Sequence, residues 1–302
     1  MKELKGIFPA MVTPFTKTGE IDTEGLGKLA NWLLASGVDG LFPLGSGGEG
    51  PKLNREERKK VLKVVLDVAK SGVPVVPGTG GITTKDTILY TKDAKDMGAS
   101  AAVIHPPWYF HPSPKALLEH YKTVAQQTDF PIIIYNLPSF VGYQIPIDVV
   151  VEASTISNIV GIKDSSAEMF YFQALMNDVS NGFDVIQGYG SLFLPSLVLG
   201  AKTTFCGEAS IAPDVLVDMY RSYLSGDLKK AREMHFKLVT LVSTIGYGTF
   251  PVSIKEALNM LGLPGGYTLP PCAPLEELER EKIRNALVKA GLFDRKMTQA
   301  RL

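Results

Sequence analysis

Short apolar runs rich in β-branched residues alternate along the chain with longer segments whose apolar residues recur every three or four positions. The short runs are typical of buried strands, and the longer segments have the period of amphipathic helices. The eight strand-like runs are 7–12, 40–43, 73–77, 101–104, 131–135, 159–163, 183–187 and 203–206. Strands that alternate with helices at about 30 residues per unit indicate βαβ units and a parallel sheet. Eight such units predict an α/β fold of the (β/α)8 TIM-barrel type.

The pattern beyond the eighth unit changes to helices alone. Segments 228–243, 252–261 and 275–290 all have helical periodicity, and no Gly/Ser-rich linker precedes them. We therefore expect a barrel over residues 1–225 and a C-terminal helical extension over residues 226–302 that packs on it.

Composition and charge limit the kinds of molecule that this protein is expected to bind. The chain has 302 residues, with 31 Lys and Arg against 31 Asp and Glu, so its formal charge is zero. A neutral balance gives no electrostatic reason to expect nucleic acid or an anionic membrane as partner. No run approaches the ~20 apolar residues that span a bilayer, and the N-terminal segment does not resemble a signal peptide. We therefore expect a cytoplasmic protein. We also expect no metal site, because its two cysteines and four histidines show no metal-ligand spacing.

Lys163 closes the sixth apolar run, at the strand end where barrel enzymes place their active sites. Lysine is almost never fully buried unless it is paired or functional. Burial lowers the pKa of an amine, and a neutral amine is a nucleophile toward ketones. The alternative is a structural lysine whose ammonium bonds a carboxylate such as Asp164, and position alone does not decide between the two.

Two further features lie at neighbouring strand ends. Tyr135 ends the fifth run at a matching level, and adjacent strands are ~5 Å apart, so its phenol can move protons for Lys163 or simply cap the core. Segment 45–50 is rich in glycine and follows the second run. There Gly45, Ser46 and Gly47 can turn backbone N–H groups toward a carboxylate or a phosphate, although a plain tight turn explains the same residues.

Four segments together give the chain its resemblance to a known family. They are GIFPAMVTPF at 6–15, GSGGE at 45–49, YNLP at 135–138 and GIKD at 161–164. In this order they resemble the dihydrodipicolinate synthase and N-acetylneuraminate lyase family along nearly the whole chain. The resemblance implies a (β/α)8 barrel with C-terminal helices, a homotetramer built as a dimer of dimers, and class I aldolase chemistry without metal or organic cofactor.

The resemblance also implies roles for individual residues. Lys163 would attack a 2-oxo acid, often pyruvate, and Tyr135 would relay protons. The Ser46 hydroxyl and the amides of Ser46 and Gly47 would hold the carboxylate. Tyr109 would reach into the neighbouring subunit's site and complete a hydroxyl relay there. The second substrate implied by the resemblance is an aldehyde.

Departures from the family pattern bear on that aldehyde. Gly47 stands where the family usually has a second hydroxyl residue, and Phe140 stands where the synthase branch has an arginine for a second carboxylate. Residues 188–191 lack the acidic side chains of the sialic acid lyase branch. Phe205 and Glu208 fall in the region where substrate tails bind; Glu208 would accept hydrogen bonds from hydroxyls, or else form a salt bridge at a subunit or loop contact.

These departures favour a lyase that cleaves or forms the C–C bond between pyruvate and an aldehyde in a 2-keto-3-deoxy sugar acid. The alternatives are 4-hydroxy-tetrahydrodipicolinate (dihydrodipicolinate) synthase, a Schiff-base dehydratase of sugar acids, and a non-catalytic binding protein. A protein that only binds has no need of a desolvated amine beside a phenol, so the pair of Lys163 and Tyr135 argues for an enzyme.

Overall fold

The structure is a computed structural model that describes residues 4–70 and 72–293. In these residues the chain forms six β-strands that all belong to one sheet. The strands are β1 (Gly6–Pro9), β2 (Ala102–Ile104), β3 (Ile132–Asn136), β4 (Ile159–Asp164), β5 (Asp184–Gln187) and β6 (Thr203–Cys206). Six of the eight predicted strands are thereby confirmed, with bounds that shift by a few residues.

Helices connect the strands and follow the last one. They are α1 (Thr23–Ala35), α2 (Arg55–Ala69), α3 (Thr84–Asp96), α4 (Pro114–Thr128), α5 (Pro138–Val141), α6 (Ile147–Ala153), α7 (Met169–Asp178), α8 (Phe193–Val198), α9 (Glu208–Ile211), α10 (Pro213–Leu224), α11 (Leu228–Ile245), α12 (Val252–Met260) and α13 (Glu277–Lys289). Two 3₁₀ helices cover Gly50–Lys52 and Gly190–Leu192. The three C-terminal helices match the predicted segments, and α11 packs against α10 and α13.

The strands are parallel and run in the order β1-β6-β5-β4-β3-β2. Parallel bridges then lead from Ala10 to Phe42, from Leu41 to Val75 and from Gly78 to Val103 in β2. The two remaining predicted segments, 40–43 and 73–77, thus lie between β1 and β2, and the parallel pairing closes into a ring of eight segments.

Proline explains why these two segments form bridges and not full strands. Pro43, Pro74 and Pro77 have no N–H group to donate to a ladder. The pairing that remains uses other donors: Leu41 N donates to Pro74 O at 3.0 Å, and Val103 N donates to Pro77 O at 2.9 Å. The segments therefore hold their places in the ring with few hydrogen bonds each.

Side chains along each strand alternate between two buried clusters, as the pleat requires. Ile132 and Ile134 belong to the larger cluster that the helices cover, whereas Ile133 and Tyr135 belong to a smaller one that also contains Phe8, Phe42 and Phe205. The parity of Tyr135 in β3 therefore turns its side chain to the same face as that of Ile133, away from the helices. None of the helices in the described residues combines the length and the apolar character needed to cross a membrane.

Candidate active site

A cavity of about 300 Å³ opens where the parallel strands end at their carboxyl termini. Tyr135 of β3 and Lys163 of β4 line it, and the turns after β5 and β6 add Tyr189 and Glu208. In barrels of parallel strands this edge is where reactive side chains gather. Of the predicted residues, Lys163, Tyr135, Ser46, Gly47, Phe140 and Glu208 line this one cavity.

Strand register brings Lys163 and Tyr135 together. The two residues are Cα partners in the β3–β4 ladder. Lys163 Nζ lies 3.9 Å from the centroid of the Tyr135 ring and 4.8 Å from that of Phe42. The Lys163 residue is only 3 % exposed. A buried amine thus lies against two aromatic faces at the inner end of the cavity.

The alternative of a structural ion pair between Lys163 and Asp164 is wrong. The Asp164 carboxylate instead accepts hydrogen bonds from Asn136 Nδ2 at 2.8 Å and from the Ser166 hydroxyl at 2.9 Å. The salt bridges of the described residues do not include Lys163. A buried lysine without a carboxylate partner is the arrangement expected of a reactive amine.

The charge state of Tyr135 depends on its neighbours. Burial is the largest influence on the pKa of this phenol and acts to raise it. The positive charge of Lys163 and a hydrogen bond with that side chain act in the opposite direction, as do hydrogen bonds with Ser165 and Ser46. Together they outweigh burial, so that the pKa of Tyr135 lies below its ordinary value. A phenol with a lowered pKa gives up and regains a proton more readily near neutral pH.

The Gly-rich segment forms a tight turn at the side of the cavity. Gly50 N donates to Gly45 O at 3.2 Å, and Glu49 N donates to Ser46 O at 3.1 Å. Ser46 and Gly47 line the cavity, but Gly45 does not. A Cβ atom at Gly45 would lie 2.6 Å from the Phe42 ring, so close packing explains the glycine there. Gly45 is therefore not in a position to contact a substrate in the cavity directly, contrary to the substrate-binding role predicted for it.

The outer part of the cavity has an apolar wall. Phe140 of α5, which is 53 % exposed, lies edge-on to Phe250 with ring centroids 5.4 Å apart. Val242 and Ile245 of α11 extend this wall. The cavity lining also includes a carboxylate, that of Glu208. This residue is 1 % exposed and accepts a hydrogen bond from the Ser191 N–H at 3.2 Å. The salt bridges of the described chain do not involve Glu208, which disfavours the salt-bridge alternative within one subunit.

Besides Gly45, two predicted residues lie outside the cavity lining. Phe205 is fully buried and stacks on Phe8 at 4.4 Å between ring centroids, so it supports the cavity from the core and does not reach a ligand directly. Tyr109 is 81 % exposed, with a φ of 73° that few residues other than glycine adopt. Within its own subunit Tyr109 contacts Phe110, and its role in a neighbouring site stays a prediction.

Sequence reasoning missed several residues of the cavity. Ser165 follows Lys163 by two positions, Tyr189 follows β5, and Phe42 lies in the second ring segment. Ser165 and Tyr189 come directly after strands, so a search of every strand end would have found them. The apolar wall formed by α11 and Phe250 could not be found in this way, because it depends on how the C-terminal helices fold over the strands. No group of three His, Cys, Asp or Glu residues in the described part of the chain could hold a metal ion.

Comparison with known proteins places the chain in a family. The sequence profile of the dihydrodipicolinate synthetase family matches residues 3–290. A curated relative from Methanothrix thermoacetophila, named 4-hydroxy-tetrahydrodipicolinate synthase, is 38 % identical over 286 residues, which is 94 % of this chain and 96 % of the relative. The chain belongs to the dihydrodipicolinate synthetase family, and it is a carbon–carbon lyase of the class I aldolase type.

Solved structures of similar proteins share the architecture. YagE of E. coli K12, a prophage protein of the same family solved in complex with pyruvate, matches with a TM-score of 0.92 at 32 % identity, over 95 % of this chain and 99 % of YagE. The dihydrodipicolinate synthase of Acinetobacter baumannii, also complexed with pyruvate, matches with a TM-score of 0.91 at 33 % identity. The match covers 96 % of this chain and 99 % of the Acinetobacter chain.

Proposed function

We propose that Lys163 forms a Schiff base with the ketone of pyruvate and that the enzyme joins this pyruvate to an aldehyde, or releases the two by the reverse reaction. The observation that carries the proposal is the Lys163 amine, buried without a carboxylate partner and 3.9 Å from the Tyr135 ring centroid. The pyruvate complexes of the two similar proteins support pyruvate as the 2-oxo acid.

The chemistry follows from these positions. The Lys163 amine adds to C2 of pyruvate, and the carbinolamine loses water to give an iminium. Loss of a proton from C3 then gives an enamine, which attacks the aldehyde carbon while the aldehyde oxygen takes up a proton. Water finally hydrolyses the Schiff base and frees the amine. In this scheme Tyr135, with its lowered pKa, moves these protons, and Ser46 and Gly47, which line the cavity, bind the carboxylate.

We further propose that the closed ring of parallel segments is a (β/α)8 barrel and that α11 to α13 form its C-terminal extension. The resemblance to the family supports a homotetramer, in which the exposed Tyr109 would enter a neighbouring subunit's site. An exposed tyrosine held at positive φ fits such a role, because strained backbone is retained where a side chain has a function.

The cavity favours a neutral aldehyde, as in a 2-keto-3-deoxy sugar acid. Among the described residues that line it, Lys163 is the only lysine or arginine. A second carboxylate would therefore lose water beside Phe140 without gaining a cation. Glu208 offers an acceptor for a hydroxyl group of the aldehyde.

The second candidate is the 4-hydroxy-tetrahydrodipicolinate synthase reaction, in which the aldehyde is aspartate semialdehyde. The names of the curated relatives favour this candidate over the sugar-acid lyase. A competition assay decides between the two. Purified enzyme with pyruvate receives glyceraldehyde and aspartate semialdehyde, and kcat/KM is measured for each. We expect the higher value for glyceraldehyde; a higher value for the semialdehyde would establish the synthase.

A further inference from the structure

A buried ion pair lies behind the Gly-rich turn, on the side away from the cavity lining. Lys255 Nζ of α12 contacts Glu49 Oε1 at 2.5 Å, although the two residues are 206 positions apart. Their side chains are 2 % and 1 % exposed. Lys255 Nζ also donates to Tyr267 O at 2.6 Å and lies 4.4 Å from the centroid of the Phe15 ring. Neither Glu49 nor Lys255 lines the cavity.

The second carboxylate oxygen of Glu49 is occupied as well. Glu49 Oε2 accepts from Lys52 Nζ at 2.9 Å and from Leu269 N at 3.1 Å. The carboxylate is thus tied to a helix and to a loop that both lie more than 200 positions further along the chain. A buried charge with this many partners is held in one place.

Glu49 anchors the turn from behind, together with Thr13, whose hydroxyl donates to Gly48 O at 2.7 Å. Residues 45–50 read Gly-Ser-Gly-Gly-Glu-Gly, so only Ser46 and Glu49 carry side chains, and Ser46 faces the cavity. Glu49 itself has a φ of 54° and a ψ of 25°, a left-handed conformation that is unfavourable for glutamate. Its N–H closes the turn by donating to Ser46 O. Four glycines give the backbone of the turn wide conformational freedom, and Glu49 is the one side chain of residues 45–50 that ties the turn to the C-terminal segments.

We propose that Glu49 and Lys255 are positioning residues, which together hold Ser46 and Gly47 where the carboxylate of the 2-oxo acid binds. The inference rests on the proposed function. It assigns to the C-terminal helices a task in catalysis, because α12 supplies the lysine that fixes the turn. Preorganised donors of this kind act on substrate binding, since a misplacement of about 1 Å can cost on the order of 100-fold.

The protonation of Lys255 gives the pair a pH dependence. Burial lowers the pKa of Lys255 to about 8, although the charge of Glu49 and a hydrogen bond with it oppose the shift. The other titratable groups that act on this amine are Lys52, which lowers its pKa, and Cys272, which raises it. As the pH rises through that range, Lys255 loses its charge and the ion pair becomes a weaker amine–carboxylate contact. The KM for pyruvate of the wild-type enzyme should then increase.

The test measures KM and kcat for pyruvate, with thermal unfolding, in Lys255→Met, in Glu49→Gln and in the double variant that removes both charges. The expected result is a rise in KM of roughly ten- to a hundredfold with a smaller change in kcat, and the loss of the pH-dependent rise in KM. Lys63→Met, which removes an exposed lysine paired with Asp67, is the matched control and should leave KM unchanged.

Lys52→Met keeps the test decisive if the buried variants do not fold, because Lys52 is 30 % exposed and still contacts Glu49. It should raise KM in the same direction by a smaller factor. An unchanged KM in a folded Lys255→Met or Lys52→Met enzyme would overturn the positioning role. Borohydride trapping of pyruvate on Lys163 separates this failure from that of the proposed function: a wild-type enzyme that traps pyruvate keeps the function even if the variants show no change.

Discussion

Replacing Phe140 with arginine should turn the cavity toward an aldehyde that carries a carboxylate. Phe140 lines the outer part of the cavity from α5, directly after the strand that holds Tyr135. Its ring is 53 % exposed and contacts Phe250 edge-on. An arginine at this position would place a guanidinium at the mouth of a cavity whose described lining otherwise has Lys163 as its only cation.

The magnitude follows from one charge-assisted contact. A hydrogen bond between charged groups contributes about 1.5–3 kcal/mol, which corresponds to roughly ten- to a hundredfold in kcat/KM. Because position 140 is half exposed, solvent screens the contact and favours the lower end, near tenfold. Loss of the aromatic contact with Phe250 should lower the free energy of unfolding by about 0.5–1.5 kcal/mol.

The assay compares kcat/KM for aspartate semialdehyde and for glyceraldehyde in the wild type, in Phe140→Arg and in Phe140→Leu. The leucine variant keeps an apolar wall without a cation and should gain nothing. We expect the ratio of the two values to move toward the semialdehyde by about tenfold in the arginine variant alone. A folded Phe140→Arg enzyme without such a change, or a leucine variant that gains equally, would refute the role assigned to charge at this position.

Two further predictions concern Tyr135. The Tyr135→Phe variant should keep pyruvate binding while kcat falls on the order of 10²–10⁴-fold, since the phenol moves protons; a loss below about tenfold would assign this task to another group. The Lys163→Met variant should raise the pKa of Tyr135, because the charge and the hydrogen bond that lower it disappear while burial remains. This pKa is measured from phenolate absorbance, as the difference between the Lys163→Met variant and a double variant that carries both Lys163→Met and Tyr135→Phe. A pKa equal to that of Tyr135 in the wild type would show that Lys163 does not lower it.

The sequence predicted the strands and the strand-end chemistry well, for a physical reason. Buried parallel strands are short apolar runs, and parity along β3 and β4 decides which residues face the cavity. Lys163 and Tyr135 could be found because a polar residue that ends an apolar run is conspicuous. Segments 40–43 and 73–77 were correct as members of the ring but not as full strands, since their prolines remove ladder donors.

The parts of the site that depend on distant segments could not be predicted in the same way. The pairing of Glu49 with Lys255 joins residues 206 positions apart, and Lys255 lies within an apolar helical stripe that gives no hint of a partner. The wall formed by Phe250 and α11 likewise depends on how the chain returns over the strand ends. Phe205 was assigned to substrate binding from its place near the end of the eighth predicted strand, whereas it is fully buried on the same inner face as Tyr135 and stacks on Phe8.

Trapping of the covalent intermediate tests the role of Lys163 most directly. The protein is incubated with pyruvate and borohydride, and its mass and proteolytic peptides are measured. We expect one reduced pyruvyl group per chain, located on Lys163, and none on a folded Lys163→Ala variant. An adduct found only on other lysines, or the absence of an adduct with pyruvate and every other 2-oxo acid tried, would contradict the Schiff-base mechanism.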